Sequence, residues 1–420
     1  STPIKSSAAS DVYKSQGEKE LKQIRALINK ETLVYVCTQK KVSPQYLIRK
    51  GGFKEDRLNK WLNISETLLP TVKQAKTLAA CLHLPFAALY MNSCDIPVHK
   101  IPALKNMRTL WNSANNDDSE LNIAVIDLLM ERDFLIQANN ELGILSVQFT
   151  PTIPKGNNPI HWAEEIRKQF DIDIGFQYRC PSPRQFYLYL RGQIESKGIF
   201  VHCFTDVSLE TARGLAIYDN SMPIIGINDE DRPPAKSFSI IHELVHIFKR
   251  DSSLCTDMVN GKTSMQEEIF CNAVSGELLV PKKALSVILR NENYQSPYSK
   301  ENIAALANKF SVSREVIIRR LLDTGRINDV EYQTYADEFQ QEIEQRKEEQ
   351  RLARQDGITN SGPRINVSRE AIDRTSPSVC KALYQGYNDE IYSKRDIAHH
   401  LGIDQKHIDK FLVEVSRWNR

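Results

Sequence analysis

The pentapeptide His242-Glu243-Leu244-Val245-His246 holds the residue types and spacing most able to do chemistry. On a helix, positions four apart lie one above the other, so both imidazoles can reach a single Zn²⁺ at about 2.0–2.1 Å. Glu243 lies beside that face, close enough to polarise a metal-bound water without ligating the ion. A catalytic zinc needs a third protein ligand and an open position for water. Glu268 lies 22 residues after His246 and can complete a His₂Glu set. Asn272, four residues further on, shares its face and can hydrogen-bond the free ring nitrogen of a ligating histidine. Cys271, Ser275 and Gly276 flank that face and are small enough to let the two helices approach closely. Glu267 is the neighbouring alternative ligand but points about 100° away. Asp251 and Asp257, in the intervening loop, are weaker alternatives.

These side chains need elements to position them. Phe238, Ile241, Val245 and Phe248 form an apolar stripe that predicts a core-anchored helix for the histidines. The carboxylate helix runs through an apolar stretch to Pro281. Upstream, Gly198–Phe204, Gly214–Tyr218 and Pro223–Ile227 read as short β-runs. The turn residues Asp219-Asn220-Ser221 make a hairpin of the last two. Residues 159–197 contain two helical stretches, and helices dominate again from Phe238 onward. Ser119–Leu142 is one amphipathic helix closed by Gly143.

The amino-terminal part is patterned differently. A helix is expected after Ser43-Pro44 and is stopped by Gly51-Gly52. A second, Lys54–Leu62, follows at once, and a longer one begins after Pro70-Thr71. Two helices joined by a glycine-containing turn inside a five-helix set form the helix-turn-helix arrangement. Lys54, Arg57, Asn59 and Lys60 on its second helix are the candidate DNA contacts, although Glu55 and Asp56 beside them oppose phosphate. Charge fits that reading and a merely solvated basic surface equally well. Residues 1–113 carry 18 basic and 8 acidic side chains, against 37 and 45 in the remainder. A basic lobe on an acidic body suits a nucleic-acid reader fused to something else. The bland alternatives are a solvated basic surface, or a helical module for dimerisation or docking, so a homodimer is also among the expected partners.

Composition narrows the classes further. The 420 residues, 41% hydrophobic and 26% charged, suggest two to four globular domains rather than a disordered chain. No apolar run reaches the roughly 18 residues that span a bilayer, and the first residues lack a secretory core. The expectation is a cytoplasmic protein without a membrane partner. Eight cysteines without a Cys-x-x-Cys pair argue against a disulfide framework. No glycine loop of the phosphate-cradling type supports nucleotide hydrolysis.

The segments Phe238-Ser239-Ile240-Ile241-His242-Glu243-Leu244-Val245-His246, Glu268-Ile269-Phe270-Cys271-Asn272 and Glu277-Leu278-Leu279-Val280-Pro281 together resemble the ImmA/IrrE family of zinc metallopeptidases. The resemblance implies that His242, His246 and Glu268 bind zinc and that Glu243 is the catalytic base. It continues upstream through the 214–227 hairpin and downstream to Phe310-Ser311-Val312-Ser313 and Arg319-Arg320-Leu321. Cys271, where the family more often has Ala, and the long charged 249–267 loop depart from it. The amino-terminal lobe resembles the XRE-type helix-turn-helix domain that often precedes this peptidase, with Trp61 and Pro70-Thr71 in the matching places. In all, the likeness covers about residues 25–330, with a weaker match over 361–415.

The expected fold is therefore α+β and predominantly helical. Its parts are a flexible leader (1–20), an all-α helix-turn-helix domain (21–95), a linker and long helix (96–150), a zincin-like metallopeptidase domain with a small sheet (151–330), a charged helix or spacer (331–360) and a C-terminal helical lobe (361–420). The family implies a regulatory endopeptidase that cleaves a specific repressor or antitoxin-like partner, and the attached helix-turn-helix implies recruitment to double-stranded DNA. The rival reading is a DNA-binding regulator, or a toxin–antitoxin or phage-defence component, whose zincin fold senses or docks without turnover. His399, His400 and His407 lack ligand spacing and read as surface or packing residues. Cys255, near the expected zinc, is a weak candidate for a latency thiol that blocks the open position.

Overall fold

The computed structural model describes residues 24–96, 99–102, 105–106, 117–250, 252–255, 265–355 and 366–419. The expected leader therefore lies outside the described residues. The chain falls into two compact units, Ser1–Ile101 with Asp117–Ile126, and Pro102–Asn116 with Asp127–Arg420.

The described part of the first unit is helical: Lys30–Gln39, Pro44–Gly51, Glu55–Leu62, Val72–Cys81 and a 3₁₀ turn, Phe86–Tyr90. Local chemistry sets these boundaries. The Ser43 hydroxyl accepts from the Tyr46 amide ahead of Pro44, and Gly52 ends the helix in a left-handed conformation, φ +66°, which costs a glycine little. Thr71 and Gln74 form a reciprocal capping box. The second helix of the expected pair starts at Glu55, because Lys54 is extended and acts as its N-cap. The fifth member of the expected set is only the 3₁₀ turn, entered through Pro85. Leu33, Leu47, Leu58, Trp61 and Leu78 are buried at its centre, with the Phe53 and Trp61 rings edge-to-face at 5.4 Å. The buried Lys30 ammonium donates to the carbonyls of Lys60, Asn63 and Glu66, tying down the end of helix Glu55–Leu62.

The second unit is built on a five-stranded sheet of order β1-β5-β3-β4-β2. Its strands are β1 (Lys105–Asn106), β2 (Phe200–Phe204), β3 (Gly214–Ile217), β4 (Ile224–Asn228) and β5 (Ser253–Cys255). The expected hairpin is present, with β3 antiparallel to β4 and Leu215 opposite Gly226. β2 runs parallel to β4, and β5 antiparallel to β3. Two strands fall in segments read from sequence as a linker and a loop: β1 is within 96–150 and β5 within 249–267. They form because each gains main-chain hydrogen bonds along an existing strand, a tertiary effect without a local pattern.

Helices surround this sheet. Residues 159–197 hold three helices rather than two: Pro159–Gln169, Ile174–Arg179 and Pro183–Glu195. The middle one is six residues long and is started by the Asp173 carboxylate, which accepts from the Gly175 and Phe176 amides. The histidine helix is Pro233–Phe248 and begins five residues before the expected Phe238, with Pro233-Pro234 in its first turn. Helices Lys300–Phe310 and Arg314–Asp323 bury Ile303, Leu306, Phe310, Ile317 and Leu321 in the same core as Ile240 and Leu244. Asp329–Gln355 is one long charged helix. The helix Ser119–Glu141 starts in the first unit and belongs to the second from Asp127 onward.

The last helices are tied to this core by buried polar contacts. The Arg191 guanidinium, fully buried, donates to the carbonyls of Asp373 and Thr375. Glu195 accepts from the Ser376 hydroxyl at 2.7 Å and from the Ser378 amide at 2.8 Å. His202 on β2 accepts from the Ser376 amide at 3.2 Å, and burial holds its imidazole down at about 4, so it stays neutral. Among the described residues no helix is long and apolar enough to cross a membrane.

Candidate metal centre

The histidine helix is buried nearly all round. Ile240, Ile241, Leu244, Val245, Ile247 and Phe248 are inaccessible, because the helix packs on the sheet and against helices Pro183–Glu195 and Met265–Leu279. The expected stripe of Phe238, Ile241, Val245 and Phe248 is thus part of a wider apolar surface. Into that core the sequence places two imidazoles and a carboxylate: His242, Glu243 and His246 are 1%, 0% and 1% exposed. Burying such groups is costly unless something pairs with them.

The carboxylate helix, Met265–Leu279, supplies a partner. Cys271 and Ser275 are completely buried where it meets the histidine helix, and small side chains permit that approach. Nε2 of His242 lies 3.1 Å from Nε2 of His246. Glu268 places Oε2 at 3.1 Å from Nε2 of His242 and Oε1 at 3.2 Å from Nε2 of His246. One ligand atom from each residue lies within 4.8 Å of the other two. Burial raises the Glu268 carboxyl, but the two facing histidines outweigh it and hold it well below the usual carboxylate range.

These three residues fit a divalent cation. Oε1 of Glu268 is buried and makes no hydrogen bond of ordinary geometry, despite its closeness to His246. A proton shared among the three could satisfy only one pair at a time, whereas one cation satisfies all three lone pairs. Two nitrogens and one carboxylate oxygen are a common donor set for zinc. The Asn272 carboxamide oxygen lies 3.0 Å from Nδ1 of His242, so that nitrogen carries the proton and Nε2 is left to coordinate. Glu267 pairs with Lys249 at 3.5 Å and takes no part in the cluster. Asp251 and Asp257 lie outside the described residues, and Cys255 is in β5 with its side chain outside them.

One contributor carries no sequence signal beyond being a glycine at the head of a strand. A Cβ on Gly214 would stand 2.8 Å from Oε1 of Glu243 and 3.0 Å from its Cγ. The Glu243 carboxylate therefore seats on the bare backbone of β3. Gly214→Ala is expected to push that carboxylate off its position and lower any Glu243-dependent turnover by at least about tenfold, because small displacements of a catalytic group are expensive. Zinc stoichiometry should be unchanged. Equal turnover in the alanine variant would show that the seat is not needed.

The other candidates lie elsewhere. Lys54, Arg57, Asn59 and Lys60 are all exposed at helix Glu55–Leu62, while Leu58 and Trp61 face the core. His400 is a packing residue, as read from sequence, but also has an acid partner. Its Nε2 lies 3.1 Å from Oε2 of Glu131, and its ring lies over Phe134 at 4.1 Å. Neither His399 nor His407 belongs to a metal cluster among the described residues.

Two buried histidines and a half-buried glutamate brought together from two helices, with a further glutamate beside them and a small mixed sheet behind, are the kind of centre that metallopeptidases use. The comparison with known families agrees. Residues 195–322 match the family model of the IrrE N-terminal-like domain, Peptidase_M78, a metallopeptidase family. The matched span contains β2 to β5, the histidine helix and the carboxylate helix, and is narrower than the 25–330 resemblance read from sequence. No curated protein and no solved structure matches the chain.

Proposed function

We propose that the chain is a zinc-dependent regulatory endopeptidase that hydrolyses a specific protein partner, a transcriptional repressor or an antitoxin-like protein. The observation that carries this reading is the convergence of His242, His246 and Glu268 within 4.8 Å, with Glu243 buried beside them. Zinc, when bound, supplies a Lewis acid that polarises the scissile carbonyl and makes water acidic enough to attack near neutral pH. The protein's own residues do the rest. Glu243 takes a proton from the attacking water and returns it to the departing amine as the peptide C–N bond breaks. Asn272 holds the tautomer and orientation of His242.

An extended substrate segment would add to the sheet by main-chain hydrogen bonds. The β5 side suits this better than the β2 side. Among the described residues β2, at one end of the strand order, is packed against helix Val367–Arg374. β5 also pairs with β3 at Gly214, the seat of Glu243. A cytoplasmic site of action goes with a repressor as substrate.

The amino-terminal helices are proposed to recruit the peptidase to double-stranded DNA as a helix-turn-helix unit, with Lys54, Arg57, Asn59 and Lys60 facing the duplex. Arg57→Ala in the full chain is expected to weaken duplex binding at low salt and to reduce the slope of log affinity on log salt by about one. Titrating duplex DNA at several salt concentrations reads both. An unchanged slope removes Arg57 from the interface, and no binding at low salt removes the DNA reading altogether.

The peptidase reading is tested by incubating the full chain with candidate repressors, with and without a chelator, and then restoring zinc. Cleavage that stops with chelator and returns with zinc supports it. Binding to a repressor without any metal-dependent cleavage would favour a sensing or docking role for the same fold.

A further inference from the structure

A cavity of about 500 Å³ lies within the second unit, where helix Ser119–Glu141 meets the C-terminal helices Pro377–Asn388 and Lys394–Leu401. It shares no residue with the metal cluster. The buried Leu383 side chain and the half-buried rings of Phe134, Tyr392 and His400 form its walls. Phe134 is the middle ring, with the centroid of His400 at 4.1 Å and that of Tyr392 at 6.2 Å. Protein contacts fix these rings. Tyr392 lies against the bare backbone of Gly386, where a Cβ would collide with it, and its hydroxyl donates to Glu141 at 3.3 Å. Nε2 of His400 is 3.1 Å from Oε2 of Glu131.

Charge at the rim is one-sided. Asp396 is taken up by its own helix cap, where it accepts from the Ser393 amide at 2.9 Å and the Ser393 hydroxyl at 2.6 Å. Arg395 and His399, four apart and exposed on that helix, make no side-chain hydrogen bond or ion pair among the described residues and act on Asp396 only through space. We infer that this cavity binds a small planar anion, an aromatic ring carrying a carboxylate or a phosphate. Small-molecule sites are largely preformed cavities of about 300–1,000 Å³ with apolar walls and a few polar groups, as here. The ligand ring lies against the Phe134 wall, where aromatic contact adds to burial. Its anionic group pairs with the Arg395 guanidinium, which is always charged and presents paired donors matched to carboxylate and phosphate. A neutral ring leaves Arg395 unused, and an anion without a ring leaves the wall bare.

The test is calorimetric titration of the full-length protein with adenosine monophosphate, salicylate, adenosine and inorganic phosphate. At least one of the two aromatic acids is expected to bind at one site per chain with a Kd below about 1 mM, and which one binds tells phosphate from carboxylate. Adenosine and inorganic phosphate each offer half of the chemistry and should bind at least about tenfold more weakly. Arg395 is exposed, so Arg395→Ala should fold normally, yet it is expected to weaken the bound acid about tenfold or more, the usual loss for a charge-assisted hydrogen bond. Phe134→Leu, which keeps apolar volume but removes the ring, should act in the same direction. The bound acid should also raise the melting temperature of wild type more than that of Arg395→Ala. No binding of either acid at millimolar concentration overturns the inference, as does equal binding by wild type and Arg395→Ala. Inorganic phosphate binding as tightly as the aromatic acids would also overturn it, by reducing the site to a cationic surface.

Discussion

Glu243→Gln is expected to keep one zinc per chain while lowering the turnover of a protein substrate by about 10²–10⁴-fold, the usual contribution of a positioned general base. The substitution is nearly isosteric, which matters because Glu243 is 0% exposed and pressed against Gly214. An amide of the same shape fits that seat but cannot take a proton from water. Since Glu243 is outside the cluster formed by His242, His246 and Glu268, the metal should remain. Single-turnover cleavage together with metal analysis separates the two effects. Wild-type turnover in the glutamine variant would assign the base to another residue, and loss of zinc would make Glu243 part of the binding site.

Glu268→Ala should act at the earlier step. Glu268 is the only negatively charged member of the cluster, and it bridges both imidazoles at 3.1 and 3.2 Å. Without it, two neutral nitrogens remain. Zinc affinity is expected to fall on the order of a thousandfold, equivalent to about 4 kcal/mol. Stability reports the same loss independently. A ligand at a thousand times its Kd stabilises a protein by about 4 kcal/mol, so added zinc should raise the melting temperature of wild type and leave that of the alanine variant nearly unchanged. An equal zinc-induced shift in both proteins would remove Glu268 from the site.

The cluster was legible in the sequence because its constraints are local. His242 and His246 share a helix face by spacing alone, and Glu268 with Asn272 repeats that logic on a second apolar helix. Asn272 meets His242 as that reading requires. What stayed hidden depends on contacts between distant parts of the chain. The described parts of β1 and β5 are two and three residues, too few to show alternation, and the parallel pairing of β2 with β4 reflects how the chain returns across the sheet. The six-residue helix Ile174–Arg179 is too short to display a period. Gly214 is informative only once Glu243 is seen against it. The tie between Arg191, Glu195 and the 373–378 segment spans about 180 residues, so the last helices read as a lobe of their own although they share the second unit.

Zinc-edge X-ray absorption on the purified full-length protein is the most direct check of the centre. The expected result is one zinc per chain, bonded only to nitrogen and oxygen at about 2.0–2.2 Å, with the multiple-scattering pattern of two imidazoles. A sulfur shell near about 2.3 Å, or no stoichiometric metal in protein prepared with zinc present, would contradict the centre drawn from His242, His246 and Glu268.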